Sequence, residues 1–175
     1  MNRLVLLVVA VFAQACGPIT FSTTLKGEGT VQGSPLGALL NAFPTIGGFT
    51  NIDFAQNQDF QNNKTSREMV RSVKVTALSA RITDPSSADF GFLDSLEFTA
   101  RAGGNETVFA SKKDIPQAAT RPPNATVTFD LLDVDLAPYV KEPSMTLSLS
   151  GKGRQPSQNT TLEVSVTLLV GASPF

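Results

Sequence analysis

The feature that most constrains this chain is alternation of apolar and polar residues with period two, recurring from residue 19 to residue 170. A strand turns successive side chains to opposite faces, so such alternation reads as β-strands with one packed face and one wet face. Ile19, Phe21, Thr23 and Leu25 alternate with Thr20, Ser22, Thr24 and Lys26. Ala125, Val127, Phe129 and Leu131 alternate with Thr126, Thr128 and Asp130, and Met145, Leu147 and Leu149 with Thr146, Ser148 and Ser150. The clearest run is Leu162, Val164, Val166, Leu168 and Val170 against Thr161, Glu163, Ser165 and Thr167. Along Val73–Thr83 the apolar phase slips: Val73, Val75 and Ala77 share one face, then Leu78, Ala80 and Ile82 the other. A β-bulge, or a strand buried on both sides, accounts for the slip. Residues 94–111 read as a hairpin about Gly103-Gly104.

Helix signals are few. Ser34-Pro35 opens a short predicted helix through Leu36, Leu39, Leu40 and Phe43, stopped by Pro44. Thr65-Ser66-Arg67-Glu68 fits a capping box for one turn. Leu136-Ala137-Pro138-Tyr139 reads as a turn, and Arg154-Gln155-Pro156-Ser157 as a hairpin tip. About seven strands with turn signals between them predict an all-β antiparallel β-sandwich over 19–175, related to immunoglobulin and fibronectin modules in architecture only.

Residues 1–16 have the three-part layout of an export signal. Met1-Asn2-Arg3 is a short positive start, Leu4–Phe12 an unbroken apolar run, and Ala13-Gln14-Ala15 a small-residue site before Cys16. The run is shorter than the about 20 residues a membrane-spanning helix needs. Here the chain resembles bacterial lipoproteins processed by signal peptidase II, in which a diacylglycerol is attached to the cysteine through a thioether. The match departs from the pattern at Ala13, where such proteins usually carry Leu. The resemblance implies a signal helix over 1–15, a lipidated Cys16 with a short tether over 16–18, and one exported domain. Gly17 rather than Asp after the cysteine leans towards the outer membrane. The same residues also fit plain cleavage after Ala15, which would release a soluble protein with a free thiol, and a buried first strand holding a core cysteine.

Three further stretches resemble uncharacterised lipoproteins of the myxobacterial kind: Ser66-Arg67-Glu68-Met69-Val70-Arg71-Ser72-Val73, Phe92-Leu93-Asp94-Ser95-Leu96 and Asp133-Val134-Asp135-Leu136-Ala137-Pro138-Tyr139. The resemblance spans roughly residues 62–170 and implies no activity and no site residues.

Composition narrows the chemistry. There is no His and one Cys, which excludes Ser-His-Asp and Cys-His catalysis, His-ligated metals and an internal disulfide. A formal charge of −1 gives nucleic acid no electrostatic footprint. No cofactor is expected. Asp130, Asp133 and Asp135 form an acidic cluster at a strand end, and Asp84, Asp89 and Asp94 a loop-rich set. Either offers the oxygen ligands calcium prefers, though neither has EF-hand spacing, and Asp is also common in turns. Paired carboxylates could serve a hydrolase only at a separation that sequence does not give. Gly27-x-Gly29-x-x-x-Gly33 lacks dinucleotide-binding spacing. Asn63, Asn105, Asn124 and Asn159 start N-glycosylation-type triplets that read as chance matches in turns.

The stretch from Gly33 to Asn63 is far longer than the usual connection of about 4–6 residues. Its charges are Asp53 and Asp59, and it carries Phe43, Phe49, Phe54 and Phe60. These phenylalanines either cap the sandwich or anchor an envelope protein or glycan. The leading expectation is a non-enzymatic, lipid-anchored envelope protein with a binding or structural role. A calcium- or carbohydrate-binding sandwich and a carboxylate hydrolase are the alternatives.

Overall fold

The alternating segments form eight strands in two antiparallel four-stranded sheets in the computed structural model, which describes residues 17–40, 43–115, 121–123 and 125–173. In chain order they are β1 (Ile19–Val31), β2 (Val70–Asp84), β3 (Leu93–Ala102), β4 (Asn105–Lys113), β5 (Thr126–Thr128), β6 (Asp130–Leu131), β7 (Thr146–Gly153) and β8 (Thr160–Ala172). One sheet runs β1-β8-β2-β5 and the other β6-β4-β3-β7. Two short helices, α1 (Gln58–Asn62) and α2 (Ala137–Val140), lie between strands. No helix among the described residues is long and apolar enough to cross a membrane.

The pairings nest. Outermost, β1 pairs with β8 from Ile19↔Ala172 to Val31↔Thr160. Inside that pair, bridges Leu39↔Arg154 and Ile52↔Met145 join the long connection to β7. Inside those, β2 pairs with β5, and innermost β3 pairs with β4. This is one long antiparallel hairpin rolled on itself, the connectivity of a jelly roll. The β2–β8 and β3–β7 pairings stitch the turns of the roll into two sheets. The expected two-layer sandwich is thus present, and its strand order is the part that alternation does not encode.

The faces follow the pattern. Leu162, Val164, Val166, Leu168 and Val170 of β8 are each fully buried. Across the core, Phe98 packs against Phe109 and Phe129 at ring separations of 5.7 and 5.4 Å. The phase slip in β2 is a bulge. Val75 pairs with Leu168 and Ala77 with Thr167, with a register shift between them that returns Leu78, Ala80 and Ile82 to the core. The β3–β4 hairpin turns on Gly103 and Gly104 at φ 56° and 80°, as a tight hairpin requires.

Four expectations are corrected. Residues 34–40 form no helix: Gly37 adopts φ 58°, and Leu40 N–H bonds the Gly153 carbonyl at 3.2 Å instead of a helical partner. Leu36 is 93% exposed, so no apolar face forms there. Residues 125–131 are not one strand. The chain leaves the first sheet after β5 and enters the second at β6, which leaves Leu131 on the surface. Arg154–Ser157 is not a hairpin tip, because β7 and β8 lie in different sheets and the segment crosses between them. The capping site before β2 falls at Ser66, one residue later than expected, and opens a single 3-10 turn over Arg67–Met69.

The face assignment has a direct test. Val166→Asp places an unpaired charge at a fully buried site and should abolish cooperative unfolding. Thr167→Asp, on the outward face of the same strand, should cost about 1 kcal/mol or less in urea denaturation. Equal loss in both variants would show that the faces are misassigned.

Candidate functional site

Two regions were singled out by sequence, and the fold separates their fates. The first is the phenylalanine-bearing connection. Its two acidic residues start its local structure. Asp53 caps a 3-10 turn by accepting Ala55 N–H at 2.9 Å, and Asp59 lies in the first turn of α1. The Asn57 side chain caps α1 by accepting from Asp59 N–H at 3.0 Å and Phe60 N–H at 3.3 Å. Its amide donates to the Thr23 hydroxyl at 3.2 Å, which satisfies that buried group on β1. These caps turn Phe54 and Phe60 inwards. Phe60 meets Phe21 edge-to-face at 5.2 Å and Phe54 at 5.2 Å, while Phe49 packs on Phe98 at 6.2 Å.

Phe49, Phe54 and Phe60 are therefore core residues, each at most 1% exposed. The reading of these three as partner anchors is corrected: burial of aromatic surface claims them for the sandwich. Phe43 alone stays partly exposed, lying over Gly151. It lines a hollow of about 260 Å³ with Thr45, Thr50, Thr146 and Ser148 on the open side of β7.

The second region is the acidic set. Asp130, Asp133 and Asp135 do not converge. Asp130 pairs with Lys112 at 3.1 Å and Asp133 with Lys74. Asp135 accepts the backbone N–H groups of Val73 at 2.8 Å and Ala137 at 2.9 Å, tying α2 to β2. The expectation of a metal at these three residues is corrected, since each carboxylate is used by a different partner. Asp89 accepts from Gly91 N–H at 2.8 Å within its own turn, and no group of three potential ligands gathers among the described residues. The Lys74 ammonium beside Asp133 holds its carboxyl below the usual carboxylate range through a hydrogen bond, and Asp133 holds Lys74 above its own.

A groove of about 330 Å³ was not anticipated. Ala102, Asn105 and Glu106 of the β3–β4 turn line it with Val134, Asp135, Pro138 and Tyr139. Glu106 at its rim is clamped by Arg101 at 2.6 and 3.1 Å. The groove depends on α2 folding back against the hairpin, which no local pattern announces. Cys16 and Asn124 lie outside the described residues.

No family model and no curated protein matches the chain. Among solved structures it is similar to the BFDV capsid protein in its 60-mer form, at 11% identity and a TM-score of 0.42 over 91% of this chain and 95% of that one. It is likewise similar to the decameric BFDV capsid protein, at 10% identity and a TM-score of 0.42 over 89% and 99%.

Two measurements test these placements. Phe60→Ala should lower stability by about 3–5 kcal/mol, the cost of emptying a buried aromatic site. Phe43→Ala, at a half-open site, should cost much less. For the ion pair, a depressed Asp pKa contributes stability above the ordinary Asp range and loses it as pH falls through the folded value. The Asp133 carboxyl should therefore titrate at higher pH in Lys74→Ala than in the parent chain when followed by NMR. An unchanged midpoint would remove Lys74 as the cause.

Proposed function

We propose that the protein is an exported lipoprotein, held at a membrane by a lipid on Cys16, whose β-sandwich has a non-enzymatic binding or structural role in the cell envelope. The observation that carries this reading is the run of features before the domain: Arg3, the apolar stretch Leu4–Phe12, the small residues Ala13 and Ala15, and the chain's single cysteine. A secretory signal needs that order of positive, apolar and small residues, and the lipid reading adds the cysteine directly after them. β1 begins at Ile19, three residues beyond Cys16. A tether of Gly17 and Pro18 would hold the domain within about 10 Å of its lipid. One acyl chain binds membranes only marginally, whereas two or more anchor stably, so a processed lipoprotein cysteine would need no apolar face on the domain.

The non-enzymatic part of the proposal rests on side-chain chemistry. Catalysis by His-based triads and His-ligated metals is excluded by composition. Asp130, Asp133 and Asp135 are engaged one by one with lysines and backbone N–H groups. Gly17 after the cysteine supports the outer membrane as the address.

Expression with its own leader, followed by intact-mass measurement of the membrane fraction, tests the proposal. The expected species starts at Cys16 and carries the mass of a diacylglycerol with or without a further acyl chain. Cys16→Ser should move the protein from the membrane fraction to the soluble one. An unmodified chain starting at Cys16 in the soluble fraction would overturn the lipid anchor and leave simple secretion.

A further inference from the structure

An exposed sheet edge is a row of unpaired N–H and C=O groups ready to pair with another chain, and proteins blunt such edges by shortness, covering, bulges or charge. Three of the four edges here are blunted. β5 has three residues and β6 has two. β7 is bridged at both ends by the long connection, through Ile52↔Met145 and the Leu147 N–H to Phe49 carbonyl bond of 2.8 Å at one end and Leu39↔Arg154 at the other, which leaves a short gap about Leu149 and Gly151. The fourth edge, β1, is protected only in its second half. There Gly47 exchanges both backbone bonds with Glu28, at 3.2 and 2.7 Å, and Gly48 sits against the Lys26 carbonyl.

The bond to Gly47 also fixes which groups face outwards. Both polar groups of Glu28 point away from β8, and the β1–β8 register runs without a shift over all its residues. Residues of the same parity, Thr20, Ser22 and Thr24, therefore turn their N–H and C=O groups to the same open side. None of those groups has a backbone partner among the described residues. The side chains of all three are small, uncharged and exposed. The usual deterrents, an edge lysine, a proline or a bulge, are absent from Ile19–Leu25.

We propose that this edge is a homodimer interface, in which β1 of one copy pairs antiparallel with β1 of a second copy about a two-fold axis through Ser22. In that register Thr20 faces Thr24 of the second copy, Ser22 faces Ser22, and Thr24 faces Thr20. Each of these three pairs is then of the hydrogen-bonded kind, so the three free N–H groups of each copy meet the three free carbonyls of the other. Lys26 falls opposite Pro18 of the second copy, so no like charges meet. An isologous pairing uses the same patch on both copies and closes at two. The blunted state of the other edges keeps it from growing into a ladder. The inference stands apart from the lipid reading, because it uses only β1.

The test is the mass of the purified full-length chain in mild detergent by sedimentation equilibrium, with engineered cross-linking. The parent chain is expected to reach the dimer mass as concentration rises. Ser22→Pro deletes the central N–H, which an edge strand tolerates, and should give a monomer with an unchanged melting temperature. In a Cys16→Ser background, Ser22→Cys should oxidise to a disulfide-linked dimer, since facing residues of such a pair stand about 5.5 Å apart at Cα, within disulfide reach. Ser148→Cys, exposed on β7, should stay monomeric under the same oxidation. A parent chain that remains monomeric at about 100 μM, a range in which weak pairs assemble, would overturn the proposal. So would a dimer that Ser22→Cys does not cross-link, whether or not Ser22→Pro folds.

Discussion

The structure depends on the seating of β8 between β1 and β2. The last strand of the domain is held on one side by the first and on the other by the second. Its five inward residues are fully buried. Burial of this kind is the main favourable term in folding, of order 25 cal/mol per Å² of apolar surface. It is realised only when the two ends of the chain meet. The consequence is a domain of high contact order, in which the outermost pair of the roll closes a loop of more than a hundred residues. The inner pairs, β3 with β4 above all, form across short loops. They offer the local contacts on which the costlier closure can build.

Rolling a hairpin into two sheets leaves an opening between β1 and β7, since the connection joining β1 to β2 must pass from one layer towards the other. The 53–63 segment fills that opening. Its caps are polar and its payload is aromatic. Asp53 and Asn57 satisfy the helix-start N–H groups, and Phe54 and Phe60 then close on Phe21. Glycine makes the approach of this connection to β1 feasible. A Cβ on Gly27 would lie 2.2 Å from the Gly47 carbonyl oxygen, so the bridge that shields the upper half of β1 exists because Gly27 has no side chain. The glycine triplet noted in the sequence thus has a packing reason.

How much of this was legible follows from range. Alternation is a local signal, and the strands, the buried face of β8, the Gly103-Gly104 turn and the bulge in β2 could be read from it. Sheet membership is not local. Ala125–Leu131 alternates without a break, yet the chain changes layers at Phe129, because alternation specifies faces and not neighbours. Ser34-Pro35-Leu36 carries a genuine helix-start pattern that lost to backbone bonds with Gly153 and Pro156 across the chain. The candidate site was least legible for the same reason. Asp130, Asp133 and Asp135 are close in sequence, but they leave the backbone towards Lys112, Lys74 and the N–H groups of Val73 and Ala137. The four phenylalanines share one loop, but capping at Asp53 and Asn57 decides which way Phe54 and Phe60 point.

The surface that results has little charge to recognise anything with. Charged residues are 17% of the chain, and Arg81, Arg101, Lys74 and Lys112 are each spent on a neighbouring carboxylate in solvent-exposed pairs. Such pairs contribute at most about 1 kcal/mol and lose more in salt. They set local geometry, and a formal net charge of −1 gives the chain little overall field to steer a partner. What the outward faces offer is hydroxyl groups. Thr24 meets Thr167 and Thr30 meets Thr161 across the first sheet at 3.1 and 3.0 Å, so several of these are already bonded to one another. Recognition by a surface of this kind falls to groups that are polar, fixed in direction and still unpaired. Backbone N–H and C=O groups on a sheet edge meet all three conditions, and their alternating spacing selects a partner strand by register where a charge pattern would select it by sign. The same economy of charge that lets the sandwich stand on its core alone thus makes the open edge of β1 its most specific surface.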